Sequence, residues 1–355
     1  MAVTGSVAVK KGARGMTYGC TRRARGWARR LLGSLVWFAS VQVHAQLSSD
    51  PAQRESMDDA WWTGPLLAAS ASTLPRGHFL VEPYLYDVIT YGAYDQQGRR
   101  AGTPHANDFG SQSYLLYGLV DRVSVGLIPR FGYQDPSQGS ASTGIGVGDL
   151  SVQAQYRLTQ FQEGHWLPTS SLVVAETLPT GRYDRLDAHP GDGFGMGAYT
   201  TTVSLYTQDY LWLGNGRILR TRLDVSYGIS DRVTLEGVSV YGTAAGFQGH
   251  ASPGNSFTAD WSLEYSATSN WVLALDVVYT QSATTGLAGS YSNSDGVLAS
   301  EFQLSSGPSH SLGFAPAIEY NWNPRIGIIA GVRSIPFGRN TAISVTPVAA
   351  LNMYL

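Results

Sequence analysis

Charged side chains recur in this sequence at every second position of otherwise apolar alternations, and that spacing gives them a common direction. In the stretch 257–281, Phe257, Ala259, Trp261, Leu263 and Tyr265 fall on one side of an extended chain. Thr258, Asp260, Ser262, Glu264 and Ser266 fall on the other. Past the polar break at residues 267–270, Trp271, Leu273, Leu275, Val277 and Tyr279 form a second apolar face, with Asp276 pointing away from it. If such apolar faces meet lipid, the same parity turns inward Glu82, Asp149, Glu176, Asp224, Glu236, Asp260, Glu264, Asp276 and Glu319. With them go Gln153, Arg130, Arg157, Arg220, Arg222, Arg325 and Arg333. Carboxylates and guanidiniums on one enclosed surface either neutralise each other as ion pairs or line a path that sorts solutes by charge. The ion-pair network is the first expectation and the selective lining the second.

Other chemistry finds few residues to work with. His78, His105, His165, His189, His250 and His310 are scattered rather than spaced as metal ligands. Tyr206-Thr207-Gln208 has a faint likeness to a segment of outer-membrane phospholipases. Leu213-Gly214-Asn215-Gly216, however, supplies neither the histidine nor the serine that such an enzyme needs. No enzyme and no cofactor is expected.

The elements that would position these charges are strands joined alternately by short and long connections. Tight turns are expected at 120–122, 230–232, 268–270 and 321–324, and long loops at 92–108, 134–146, 179–195, 243–256, 282–308 and 334–340. Short turns on one rim and long loops on the other are the asymmetry of a transmembrane barrel, whereas a sandwich has no reason to show it. Tyr117-Gly118-Leu119-Val120-Asp121-Arg122-Val123 returns as Tyr227-Gly228-Ile229-Ser230-Asp231-Arg232-Val233. With Tyr265, Tyr320, Trp271 and Trp322 these tyrosines are expected to form an aromatic girdle at one interface. The chain ends inside a strand, 341–355. Counting 196–213 as a strand gives thirteen, an odd number that termini on one rim forbid. Setting that segment aside gives twelve, and reading it as a hairpin gives fourteen; twelve is the expectation.

Pro129 and Pro316 interrupt strands, and each removes a ladder donor. The simple reading is a bulge or rim residue; the functional one is a lateral exit from lumen to membrane.

The N-terminus reads as an export signal. No acidic residue precedes Gln46. Eight basic residues from Lys10 to Arg30 lead into the apolar run 31–41 and the small-residue site Val43-His44-Ala45, so cleavage after Ala45 is expected. Beyond it there is no cysteine, and 16 arginines stand against 26 acidic residues with no lysine, a balance that argues against nucleic acid as a partner. Residues 46–76 form an N-terminal segment, of which 61–76 (WWTGPLLAASASTLPR) is apolar. It is expected at the periplasmic rim, with the barrel mouth or lumen as the alternative.

Gly77-His78-Phe79-Leu80-Val81-Glu82-Pro83-Tyr84, Gly146-Val147-Gly148-Asp149-Leu150 and Leu178-Pro179-Thr180-Gly181 resemble outer-membrane proteins of a phenol-degradation (MetA-pathway) family, more distantly similar to long-chain fatty-acid channels. The resemblance covers most of residues 77–355. It implies an outer-membrane location in a Gram-negative bacterium and passage of small hydrophobic or aromatic compounds. The combined expectation is an all-β protein, a single antiparallel transmembrane β-barrel over 77–355. Its partners would be outer-membrane lipid, a small-molecule cargo and, during biogenesis, the barrel-assembly machinery. A closed structural or ligand-binding barrel is the alternative.

Overall fold

Alternation decides which side of each strand faces outward. Leu85, Val203, Leu205, Trp261, Trp271, Leu273 and Ile318 are exposed, while residues of the opposite parity, among them Ser204, Asp260, Ser262, Glu264, Ser266 and Glu319, are buried. A sheet with one greasy and one polar face has to close on itself when the greasy face is turned to lipid, because any open edge would leave backbone N–H and C=O groups unpaired in hydrocarbon.

A computed structural model describes residues 54–292 and 298–355; the leader expected over 1–45 lies outside the described residues. The strands are β1 (Phe79–Tyr94), β2 (Arg100–Val120), β3 (Val123–Ile128), β4 (Arg130–Asp135), β5 (Gly146–Val147), β6 (Leu150–Thr159), β7 (Thr169–Leu178), β8 (Thr200–Trp212) and β9 (Ile218–Ser230). There follow β10 (Val233–Glu236), β11 (Phe247–Ser252), β12 (Ser256–Ser266), β13 (Trp271–Ser282), β14 (Gly286–Ser292), β15 (Leu298–Ser305), β16 (Ser309–Asn323), β17 (Ile326–Arg339) and β18 (Thr341–Tyr354).

β1 pairs with β2 on one side and with β18 on the other, which closes the wall. With β3 and β4 as two halves of one strand and β5 a two-residue addition to β4, the barrel has twelve antiparallel strands. Phe79 and Leu355 exchange backbone hydrogen bonds of 3.0 and 2.8 Å, so both ends of the barrel meet at one rim. The same rim carries the short turns 121–122, 213–217, 267–270 and 324–325, and short turns mark the periplasmic rim of such barrels.

The strand count agrees with the sequence, but its membership differs. The segment set aside, 196–213, contains β8, a full wall strand paired with β7 and β9. Val233–Gly242, read as a wall strand, instead contributes the short β10 to a separate sheet of order β10-β11-β14-β15 on the extracellular side. Two opposite errors left the total at twelve. Ser230-Asp231-Arg232 is therefore no periplasmic turn, and Tyr227 lies at the extracellular end of its strand, away from Tyr117, Tyr265 and Tyr320. The repeated Tyr-Gly-x-x-Asp-Arg-Val records a way of leaving a strand and not a rim.

The loops expected at 92–108 and 334–340 are largely strand, since β2 begins at Arg100 and β17 runs to Arg339. Asn340 alone turns β17 into β18, at φ 49°. Its side-chain amide donates to Ser306 O at 2.7 Å, and its backbone N–H to Asp95 O at 3.0 Å, so three extracellular connections are tied at one residue. The extracellular sheet has its own core of Val233, Leu235, Phe247, Ala251 and Leu287, joined by Ala198 from the β7–β8 connection.

Candidate functional site

The lumen is occupied by the segment that precedes β1. Glu55 is held at the periplasmic rim, where its N–H donates to Gly216 O at 2.9 Å and its carboxylate pairs with Arg217 at 2.9 Å. From there the chain runs inward along the wall. Thr63 N and Gly64 N donate to Glu319 at 2.8 and 3.1 Å, and Leu66 N and Ala68 N donate to Asp276 at 3.1 and 3.2 Å. Ala69 N donates to Asp224 at 2.6 Å. The chain then returns to the rim, with Leu74 N donating to Ser124 Oγ at 2.8 Å and Arg76 N to Asp121 at 3.3 Å.

The sequence explains why this segment lies against the wall. Gly64, Pro65 and Pro75 keep residues 61–76 out of a helix and a strand, so the backbone N–H groups need acceptors elsewhere. The inward carboxylates of β9, β13 and β16 supply them. Leu66 adds an apolar contact, packing with Ala315, Ile329 and Ala350 on the inner wall. Contrary to the expectation of a rim position, residues 63–74 bond to side chains inside the barrel.

Arg220 and Arg222, both buried, converge on Glu264, which is fully buried. Arg220 Nε lies 2.6 Å from Glu264 and Arg222 Nε 3.1 Å from it. Arg222 also donates to Ala68 O at 2.9 Å, and the Arg220 guanidinium lies over the Trp62 ring at 4.4 Å. Asp260, Glu82 and Arg333 line the lumen without joining an ion pair among the described residues, and Asp260 Oδ1 and Arg333 Nε are buried without a hydrogen-bond partner. Among the described residues that line the lumen, ion pairing thus accounts for Arg220, Arg222 and Glu264. Of the remaining acids, Asp224, Asp276 and Glu319 serve the N-terminal segment, a use that alternation within strands cannot reveal.

Between that segment and the wall lies a cavity of about 760 Å³. Tyr84, Tyr86, Tyr114 and Tyr206 face it together with Leu80, Leu116, Ile335 and Val348. Polar groups come from Gln112, Gln153, Asp224, Asp260, Arg222 and Arg333. The tyrosines are not among the residues expected from the sequence, although Tyr84 and Tyr86 share the parity of Glu82 and carry the same signal.

Other residues expected in the lumen lie elsewhere or have other partners. Glu176 has the parity of the exposed Leu172 and Val174, so it faces outward near the extracellular end and accepts from Thr201 Oγ1 at 2.6 Å. Glu236 is in the extracellular sheet, where Arg185 Nε binds it at 3.0 Å. Asp149 staples loops, accepting from Gly181 N at 2.9 Å and Met196 N at 2.7 Å. Arg157 keeps inward parity close to the periplasmic rim, and Arg130 Nε donates to Gln112 at 2.9 Å. Gln208 and Tyr206 are inward, with Thr207 outward between them, as strand alternation requires.

The two prolines differ. Pro129 separates β3 from β4; β3 pairs with β6, whereas β4 finds only the two residues of β5 on that side. The wall beyond is completed by the β7–β8 connection, whose Phe194 sits on Gly132 and Gly146. A Cβ at Gly146 would lie 1.9 Å from the ring, and one at Gly132 2.8 Å from it. Asp192 anchors the same connection by accepting from Thr143 N at 2.7 Å and Thr143 Oγ1 at 2.9 Å. Those bonds, aided by nearby His189 and Arg182, hold its carboxyl below the ordinary value of 3.8. Pro316, in contrast, lies within the unbroken pairing of β13 with β16, opposite Leu275. It makes no gap on that side.

Comparison with known proteins places this architecture. No curated protein sequence matches the chain. Among solved structures, an outer membrane channel from Pseudomonas putida F1 is similar, at 16% identity and TM-score 0.61 over 81% of this chain and 98% of that one. Weaker similarities are to the beta domain of the Bordetella autotransporter BrkA (10% identity, TM-score 0.41, 79% and 100% covered) and to the P. putida toluene transporter TodX (11%, 0.35, 83% and 95%). The family model described as putative MetA-pathway of phenol degradation matches residues 92–335. The chain is an outer-membrane β-barrel and belongs to that family.

Proposed function

We propose that the protein is a channel for passive passage of small hydrophobic or aromatic compounds across the outer membrane. The observation that carries this reading is the cavity of about 760 Å³, in which four tyrosines and several aliphatic side chains face a lumen that is otherwise polar. A flat aromatic solute gains from edge and face contacts with such rings, and these contacts offer much less to a hydrated sugar of similar size. The family description and the channel from P. putida F1 support the same reading. The N-terminal segment narrows the path on the periplasmic side, so passage requires that it shift. A side route at the Pro129 break, past Phe194, would let an apolar solute leave toward the membrane without crossing the polar lower lumen.

A closed structural or binding barrel is favoured by one observation, the five backbone N–H groups of residues 63–69 held by Glu319, Asp276 and Asp224. Uptake into liposomes containing the refolded protein separates the two. Entry of a small aromatic solute faster than a sugar of similar size is the expected outcome. Equal entry would indicate a general pore, and no entry of either would leave the closed barrel.

A further inference from the structure

The outward face of the extracellular rim carries a row of residues that no reading of the lumen uses. Strand register places Arg100 opposite Tyr94, Tyr94 opposite Thr341, Arg339 opposite His310, and His310 opposite Gln281. Asn340 joins Arg339 to Thr341, so these residues form one lateral rung across β2, β1, β18, β17, β16 and β13. Arg100 and Arg339 are exposed, and neither joins an ion pair among the described residues. Their acidic neighbour Asp95 is already taken, by Arg99 Nε at 2.7 Å. Two unpaired guanidiniums and an imidazole on one edge stand out in a chain with 26 acidic residues and only 16 arginines beyond the leader.

One rung nearer the membrane, about 7 Å away along the strands, the same face turns apolar. Leu312 stands between Tyr279 and Phe337, and Phe337 is 61% exposed. Tyr94, Tyr279, His310, Leu312, Phe337 and Arg339 enclose a pocket of about 220 Å³ that opens outward. The pocket is braced: the β1–β2 turn, where Gly98 takes φ 79°, lies against the Arg339 stem, a Cβ on Gly98 being in ordinary contact with Arg339 Cγ at 3.5 Å. Arg100 is steadied over the Tyr94 ring at 5.9 Å.

We propose that this surface binds a phosphorylated, multiply acylated saccharide lipid of the outer leaflet, with phosphate on Arg100, Arg339 and His310 and an acyl chain along Phe337 and Leu312. The match is one of charge and of order. Planar guanidiniums take phosphate oxygens through paired N–H donors, and they stand above the apolar rung, as a headgroup stands above its chains.

The test uses the full folded protein in detergent and native mass spectrometry with a bis-phosphorylated hexa-acyl disaccharide lipid. Its dephosphorylated form, phosphatidylglycerol and inorganic phosphate are the comparison probes. A one-to-one adduct with the phosphorylated glycolipid is expected, and R100Q should weaken it by roughly tenfold, the loss expected of a charge-assisted hydrogen bond. R100Q/R339Q should weaken it further, and R325Q, an exposed arginine at the opposite rim, should leave it unchanged. Retention of the folded, heat-modifiable band on a gel shows that each variant is intact. The proposal is overturned if the dephosphorylated lipid or phosphatidylglycerol binds as well, if inorganic phosphate displaces the lipid, or if both folded arginine variants bind like wild type.

Discussion

Replacing Asp276 by alanine should loosen the N-terminal segment and raise solute uptake. The side chain is fully buried and accepts two backbone N–H groups, from Leu66 and Ala68. An ordinary hydrogen bond contributes about 0.5–1.5 kcal/mol net, so the loss of two is about 1–3 kcal/mol. At the upper end that is roughly a hundredfold change in the ratio of displaced to seated segment. The seated form keeps its bonds to Glu319, Asp224, Ser124 and Asp121. Displacement should therefore be partial, and D276A should fall between wild type and a variant lacking residues 61–72. D276N should have a smaller effect, because its amide oxygen still accepts one N–H. Uptake of a small aromatic solute into liposomes, per folded barrel, is the assay. If D276A and the deletion both fold and neither changes uptake, the segment does not obstruct passage and the reasoning is refuted.

Other consequences can be measured on the same protein. Glu264→Gln leaves two buried arginines without their shared counter-charge, and a loss of about 3–5 kcal/mol should appear as a lower urea midpoint for the heat-modifiable band. Gly146→Ala should unseat Phe194, since a Cβ there meets the ring at 1.9 Å; faster proteolysis at Arg182 or Arg185 would report it, and unchanged cleavage would argue against the glycine seat. The Asp192 carboxyl lies below its ordinary 3.8 in the folded protein, so its tie to Thr143 is at full strength above that pH and weakens as pH falls through the lowered value. The protection of the Thr143 N–H against hydrogen exchange, relative to its intrinsic rate at each pH, should fall only in that acid range, and loss of protection already near neutrality would contradict the assignment.

Much of the wall was legible because burial on one face writes a period of two into the sequence, as Asp260 to Ser266 show. Where that rule misled, a second structure was competing for the same pattern. Val233–Glu236 alternates as cleanly as a wall strand because it too has a buried face, but its partner is the extracellular sheet. β8 was hidden because Thr200, Thr201, Thr202, Ser204 and Thr207 give little contrast between its faces. The lumen was legible at Arg220, Arg222, Asp224 and Glu264, whose parity is fixed by neighbours such as Leu223 and Trp261. It failed at Glu176, which shares the parity of the exposed Leu172 and Val174. That Asp276 and Glu319 hold the backbone of Thr63 to Ala68 is a contact across more than 200 residues of sequence, and no local period encodes it.

Both ends of the N-terminal segment are fixed at the same rim, Glu55 beside Gly216 and Arg76 beside Asp121. In rope-work terms it is a bight and not a thread: it enters and leaves by one mouth and passes through no closed ring of chain. It can therefore be laid in after the seam between the first and last strands has closed, and drawn out again without parting a single wall hydrogen bond. Tension on the chain at Glu55 would meet its attachments at Glu319, Asp276 and Asp224 in turn, so they would peel one by one and never have to yield together.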